Sequence, residues 1–239
     1  KGLDLIRETS LTLGAPGVDI LTLNHDTLIE DELKQAGIPY TCGFDPSVRQ
    51  DGDVDFFDET AFKDSNKVRI IKLHGSWNWL RLGKEIDENA TLWRWGIPKD
   101  RAECWADLKD GDGERLFDSP LEKATLTGST TKTTAYTRGI FGDLYLEARK
   151  ILNQHDRIIC SGYGWRDDGF NWMLKEWAES DLSRKLLLLH DREVDDFENK
   201  KPWLWPDGWT WGEPKGWLRW HPRWLSDTCF QDISDKLFI

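Results

Sequence analysis

Cysteine is scarce and unpaired in this sequence. Cys42, Cys104, Cys160 and Cys229 stand alone, so the Cys-x-x-Cys halves of the usual structural zinc site are missing. A chain of 239 residues buries a core without covalent staples, and Cys160 lies in an apolar segment as a buried free thiol would. This usage points to a reducing compartment, and a cytoplasmic location is expected. Long apolar runs are absent as well. The longest, Leu186 to Leu189, is strand-sized, far short of the ~18–20 residues of a membrane span. No signal peptide is expected, and a start at Lys1 fits a fragment or a processed product. Basic residues are in deficit, 32 against 43 acids, for a net charge of −11. That balance argues against a sequence-independent nucleic-acid binder, though not against a local basic patch.

Tryptophan, by contrast, is abundant, with 15 residues. Trp203, Trp205, Trp209, Trp211, Trp217, Trp220 and Trp224 fall in one stretch, which reads as aromatic packing in an irregular C-terminal segment over residues 200–239. Four Trp-x-Trp pairs, Trp77/Trp79, Trp93/Trp95, Trp203/Trp205 and Trp209/Trp211, would turn both rings to one side in an extended chain. Such pairs could serve as a stacking platform for a glycan or a base, or as a protein interface.

Hydrophobic patterning gives an alternation of strands and helices. Residues 1–9 read as the end of a helix and Leu13 to Gly17 as a turn. Val18 to Leu23 is a short β-branched strand. Asp26 can cap a helix over Thr27 to Ala36, closed by Gly37. Ile38 to Cys42 is a weak strand, and Val68 to Leu73 a clear one. Trp77 to Leu82 alternates as a strand does. Residues 83–134 carry no sustained period and read as an inserted lobe or lid. An amphipathic helix follows over Gly142 to Asn153, then a buried strand at Arg157 to Cys160, a helix from about Asp168 to Ser180, and a buried strand at Lys185 to Leu189. Apolar central strands alternating with helices predict an α/β fold, a Rossmann-like open parallel sheet with helices on both faces. Its core would comprise residues 18–82 and 142–191 of a single domain.

Three strands end in small polar turns: Asn24-His25-Asp26, His74-Gly75-Ser76 and Ser161-Gly162-Tyr163-Gly164. Open α/β sheets bind ligands at the carboxyl ends of their strands, so the three turns would share one rim. Each signal alone is weak. Asn-x-Asp after a strand is usually a helix cap, His-Gly is often only a turn, and Gly-x-Gly falls short of the full dinucleotide fingerprint. Glycines there would let a phosphate approach the backbone at a helix N-terminus. Asp167 and Asp168 read as caps of the following helix and stay outside the chemistry. His155 reads as a surface residue and His221 as local packing. Residues 191–198 read as a solvated acidic face, with Asp191, at its strand end, the exception.

In their order, the segments ILTLNHDTLIE (20–30), IIKLHGSWNW (70–79) and IICSGYGWRDDGFNWML (158–174) resemble three motifs of the sirtuin superfamily. The resemblance is to its divergent bacterial branch, the sirtuin-like NAD hydrolase domains of antiphage defence systems. That branch shows T-x-N-Y-D-x-x-x-E, K-L-H-G and G-Y-S-x-x-D elements in this order. The resemblance implies that Asn24 contacts the nicotinamide ribose and places the nucleophile, that Asp26 lies near the nicotinamide carboxamide, and that His74 is the general base. It implies that Ser161, Gly162 and Gly164 hold the phosphates and adenine ribose, with Asp191 near the adenosine by position only. Gly75 would leave room for ligand beside the imidazole.

The implied activity is cleavage of NAD, as substrate, to nicotinamide and ADP-ribose by a defence effector. No metal is expected. The implied partners are NAD or ADP-ribose and a second copy of the chain or another defence protein; no membrane is expected, nor nucleic acid for this domain alone. The sequence departs from the family in three ways. The zinc module of deacylating sirtuins is absent, which leaves NAD-dependent deacylation as the weaker alternative. His25 replaces the more usual tyrosine or isoleucine. The Gly-Ala-Gly-x-Ser loop that cradles the pyrophosphate is not found upstream of Asn24, either removed together with an earlier stretch of chain or lost. That departure keeps a second reading open: a non-catalytic, degenerate module that binds NAD, ADP-ribose or a protein partner.

Overall fold

A computed structural model describes residues 3–14, 17–45, 52–100, 108–119, 124–126, 132–191 and 218–238. Two parallel three-stranded sheets carry the fold. In the first, β4 (Val68–Lys72) lies between β1 (Asp19–Thr22) and β2 (Tyr40–Thr41), with Ile20 opposite Ile70 and Thr22 opposite Lys72. In the second, β9 (Lys185–Leu189) lies between β8 (Arg157–Ser161) and β10 (Leu218–His221). A third, antiparallel sheet has the order β3 (Val54–Phe56), β6 (Ala90–Pro98), β5 (Leu80–Asp87), β7 (Phe117–Asp118).

The helices are amphipathic and cover these sheets. On α4 (Gly139–Leu152), Ile140, Leu144, Ala148, Ile151 and Leu152 form a buried stripe. On α5 (Asp168–Ser180), Phe170, Met173, Leu174, Trp177 and Ala178 do the same at helical spacing. Both stripes meet Ile70, Ile71, Leu186 and Leu188 in one core that joins the two parallel sheets. The alternate side chains of β9, Leu187 and Leu189, point the other way. They meet Leu5 of α1 (Asp4–Leu13) and Ile233 of α6 (Phe230–Phe238). Helices thus lie on both faces of β9, and the architecture is Rossmann-like. Each of these buried leucines contributes about 1.5–3 kcal/mol of transfer free energy. The antiparallel sheet has its own small core of Val54, Phe56, Leu80, Leu82, Leu108 and Leu116. Two further helices, α2 (Leu28–Gln35) and α3 (Lys132–Ala135), flank the rim described below. Among the described residues no helix is long and apolar enough to cross a membrane.

Several details differ from the sequence expectation. All five residues of β8, Cys160 included, are half-buried rather than buried. Among the described residues β8 pairs only with β9 and β1 only with β4, which leaves one edge of each without a described partner strand. His155, expected at the surface, donates from Nε2 to Asp19 Oδ2 at 2.5 Å and ties the approach to β8 to the start of β1. β5 begins at Leu80, inside the strand expected over Trp77 to Leu82, but it continues to Asp87 and turns back as β6 in a hairpin, where residues from 83 on were expected to lack regularity. The outer half of the hairpin projects into solvent, which removes the need for alternation. β10 was not foreseen, because it lies within the tryptophan-rich segment read as irregular. Trp203, Trp205, Trp209, Trp211 and Trp217 lie outside the described residues. Trp77 is 52% exposed and Trp79 2%, so this pair does not turn both rings to one side. It precedes β5 in a turn rather than within a strand.

Candidate functional site

Parallel pairing of β1 with β4 continues one step beyond the strands, where the Leu73 amide donates to the Thr22 carbonyl. The turn after β1, with Asn24, therefore lies beside the turn after β4, with His74. Asn24 is exposed, and its amide is fixed by Thr22 Oγ1 at 3.1 Å. Asp26 is exposed too, and its Oδ1 accepts from the first amide of α2, Leu28, at 3.1 Å. The His25 carbonyl accepts from the Trp77 amide at 3.1 Å and from Ser76 Oγ at 3.0 Å, which locks the two turns together.

Under this pair of turns lies Lys72, 1% exposed. Its ammonium donates to the Asp26 carbonyl and, at 2.8 Å, to Glu30 Oε1. Glu30 is buried, and its other oxygen has no partner among the described residues. A buried charge requires a partner, so this ion pair sets where the backbone at Asp26 can sit. Lys72 and Glu30 are the lysine of the K-L-H-G element and the glutamate of the T-x-N-x-D-x-x-x-E element. Both were visible in sequence, but without a role.

His74 is 5% exposed. Its Nε2 lies 2.7 Å from Asp167 Oδ2 and 2.9 Å from the Tyr136 hydroxyl. The hydroxyl in turn donates to Asp167 Oδ2 at 2.6 Å. Asp167 also caps α5, accepting the Phe170 amide on Oδ1 at 3.0 Å. Burial pushes the Asp167 carboxyl up, but the bonds from His74, Tyr136 and Phe170 outweigh it and hold the group at about 2. Burial, reinforced by the bond to Asp167, raises the Tyr136 phenol. The His25 ring stands 6.1 Å from that of His74, centroid to centroid. Burial lowers its pKa, and the nearby His74 and Lys72 lower it further. The helix cap at Asp167 was expected from the sequence; its contact with His74 was not, although the G-Y-S-x-x-D element ends on it. Tyr136 carried no signal, since it follows a stretch without a pattern.

The two glycine turns differ. Gly75, at φ 79°, has no room: an added Cβ would lie 1.8 Å from the Ala124 carbonyl oxygen. The segment 124–126 crosses there, with the Ser76 amide donating to Ala124 and the Leu126 amide donating to His74. The space expected for a ligand beside Gly75 is filled by chain. Gly162, at φ 67°, and Gly164 have nothing within 4 Å of an added Cβ. They follow half-buried Ser161 at the end of β8, in the loop that leads to Asp167. Asp191 lies one strand further out, exposed after β9, with its carboxylate 3.3 Å from His190 Nδ1. The His190 ring packs on Trp224. So the rim brings together Asn24, Asp26, His74 and the loop of Gly162, and leaves Asp191 at its margin.

A cavity of about 520 Å³ lies elsewhere, lined by Asp19, Lys63, Lys67, Arg69 and Lys150 among others. Asp19 and Arg69 stand at the amino ends of β1 and β4, so this cavity belongs to the opposite rim. Among the described residues no three His, Cys, Asp or Glu side chains gather as metal ligands would.

No curated protein matches the chain closely enough to be aligned with it. The family model of the SIR2-like domain matches residues 18–94, about a third of the length. That span contains Asn24, Asp26, Glu30, Lys72 and His74, and ends before Tyr136 and Asp167. By this match the chain is similar to SIR2-like domains over residues 18–94, the stretch that builds the first two turns of the rim.

Proposed function

We propose that the chain is an NAD glycohydrolase that converts NAD and water to nicotinamide, ADP-ribose and a proton. The observation that carries this reading is the adjacency of the Asn24 turn and the His74 turn at the carboxyl ends of paired parallel strands, within the SIR2-like stretch. The bond to nicotinamide breaks readily because the departing pyridine is cationic and leaves neutral. What the site must supply is orientation and a base for the incoming oxygen. Exposed Asp26 would hold the carboxamide, Asn24 would align the ribose and the water, and His74 would take the proton. Ser161 and the open backbone at Gly162 and Gly164 would receive phosphate or the adenine ribose, with Asp191 towards the adenosine. A defence role, with a second copy or another defence protein as partner, rests on the motif resemblance alone. So does the weaker deacylase alternative.

A second reading has its own observation. His74 is nearly buried and its Nε2 is already engaged, as suits a module that binds NAD or ADP-ribose without cleaving it. Chromatographic assay of nicotinamide release separates the two. The hydrolase reading predicts release by the wild type and a loss of about 10²–10⁴-fold in His74→Ala, with Asn24→Ala similarly impaired. Thermal melting serves as the folding control. Undiminished release by a well-folded His74→Ala overturns the catalytic assignment, whereas NAD binding without release favours the binding module.

A further inference from the structure

We propose that Asp167, supported by Tyr136, is a positioning residue that holds His74 as the Nε2–H tautomer, so that Nδ1 is the nitrogen that accepts the proton. The kinetic part rests on the hydrolase reading; the tautomer does not. Both neighbours of Nε2 are acceptors. An ionised carboxylate can only accept, and Asp167, held at about 2, is ionised throughout the neutral range. The Tyr136 hydroxyl has one proton, and it points at Asp167 Oδ2, 2.6 Å away. What the hydroxyl offers Nε2 across 2.9 Å is therefore a lone pair. Only an N–H at Nε2 satisfies Asp167 and Tyr136 together. A neutral imidazole has one N–H, so Nδ1 is left with its lone pair, and no described residue hydrogen-bonds it.

The carboxylate is itself held rigidly. Its second oxygen caps α5 through the Phe170 amide, and the α5 stripe is part of the main core. The Tyr136 ring stacks on Tyr145 at 4.8 Å, and Tyr145 donates to the Gly169 carbonyl at 3.0 Å. A cap alone would need one carboxylate oxygen. Oδ2, which the cap does not use, is aimed at an imidazole, the geometry by which a carboxylate fixes a histidine tautomer. In the reaction, the water oxygen bonds to the ribose carbon as the bond to nicotinamide breaks. The water proton passes to Nδ1, and the resulting imidazolium, stabilised by Asp167, releases it to solvent.

The test is the ¹⁵N spectrum of the His74 ring, assigned by its loss in His74→Gln and recorded on the alkaline side of the ring's titration. Wild type is expected to show the proton on Nε2. Asp167→Asn keeps a cap oxygen for Phe170, because asparagine caps helices as well as aspartate does. It also turns an NH₂ donor towards Nε2, so the ring should flip to the Nδ1–H tautomer. Nicotinamide release should fall by about 10²–10⁴-fold, and Tyr136→Phe should keep the wild-type tautomer. A proton on Nδ1 in the wild type overturns the proposal, as does an unchanged tautomer in folded Asp167→Asn. The wild-type spectrum decides even if that variant fails to fold. The predicted tautomers in a chain that releases no nicotinamide would uphold the positioning and reject the hydrolase.

Discussion

A lysine without exposed surface must be paired, and Lys72 is paired twice, to the Glu30 carboxylate and to the Asp26 carbonyl. Replacing it with methionine leaves a buried carboxylate uncompensated. Lys72→Met is therefore expected to lower the free energy of unfolding in urea by about 3–5 kcal/mol. The double variant Lys72→Met with Glu30→Gln should lose clearly less than the sum of the single losses; additive losses would contradict the pairing. Asp167 gives a pH signature. Its carboxyl lies at about 2 in the folded chain, against an ordinary 3.8. Above the ordinary value both folded and unfolded chains are ionised, and the stabilisation, about 2 kcal/mol, is fully present. It disappears as pH falls through about 2. Unfolding free energies of wild type and Asp167→Asn should thus converge between pH 4 and pH 2. A gap that stays constant over that range would count against the bonds from His74, Tyr136 and Phe170 holding the carboxylate.

At the scale of elements, the two glycine turns are the sharpest contrast. Both Gly75 and Gly162 have positive φ, a conformation that costs an L-residue about 1–2 kcal/mol. Gly162→Ala should cost only that much, since nothing lies near the added methyl. Gly75→Ala must also displace the 124–126 crossing, and a total of about 2–4 kcal/mol is expected. Equal losses in denaturant unfolding would show that the crossing is not firmly held. The sequence made the Gly162 turn legible because the residues around it are local: a strand, two glycines, a capped helix. It could not announce the crossing at Gly75, whose partners Ala124 and Leu126 are some fifty residues away in a stretch with no periodicity. The strand at Arg157–Ser161 was legible as a strand from its apolar run, but its half-exposure was not. Burial depends on what pairs along the edge, which one strand's sequence does not encode.

For the whole molecule, the edges of β1 and β8 that have no partner strand among the described residues carry a measurable consequence. Amides of a parallel strand point alternately to its two neighbours. Alternate amides in β1 and β8 should therefore exchange with solvent much faster than those of the central strands β4 and β9, whose side chains are buried almost throughout. Uniform protection across all four strands would mean that the edges are covered. The α/β class was readable in advance, and a shared rim follows from it as an expectation, because strand-end turns of parallel strands fall on one side whatever the details. The inner support of the rim, Lys72 to Glu30 and Tyr136 with Asp167 to His74, was not, because buried polar partners meet only after the chain has folded. The most direct test of the central claim is hydrogen exchange read by mass spectrometry on the wild-type chain, with and without saturating NAD. Slowed exchange is predicted in the three turns, residues 23–27, 73–77 and 161–167. Slowed exchange confined to the opposite rim, around the cavity of Asp19, Lys67 and Arg69, or no change in the three turns, would contradict the assignment of this rim as the NAD site.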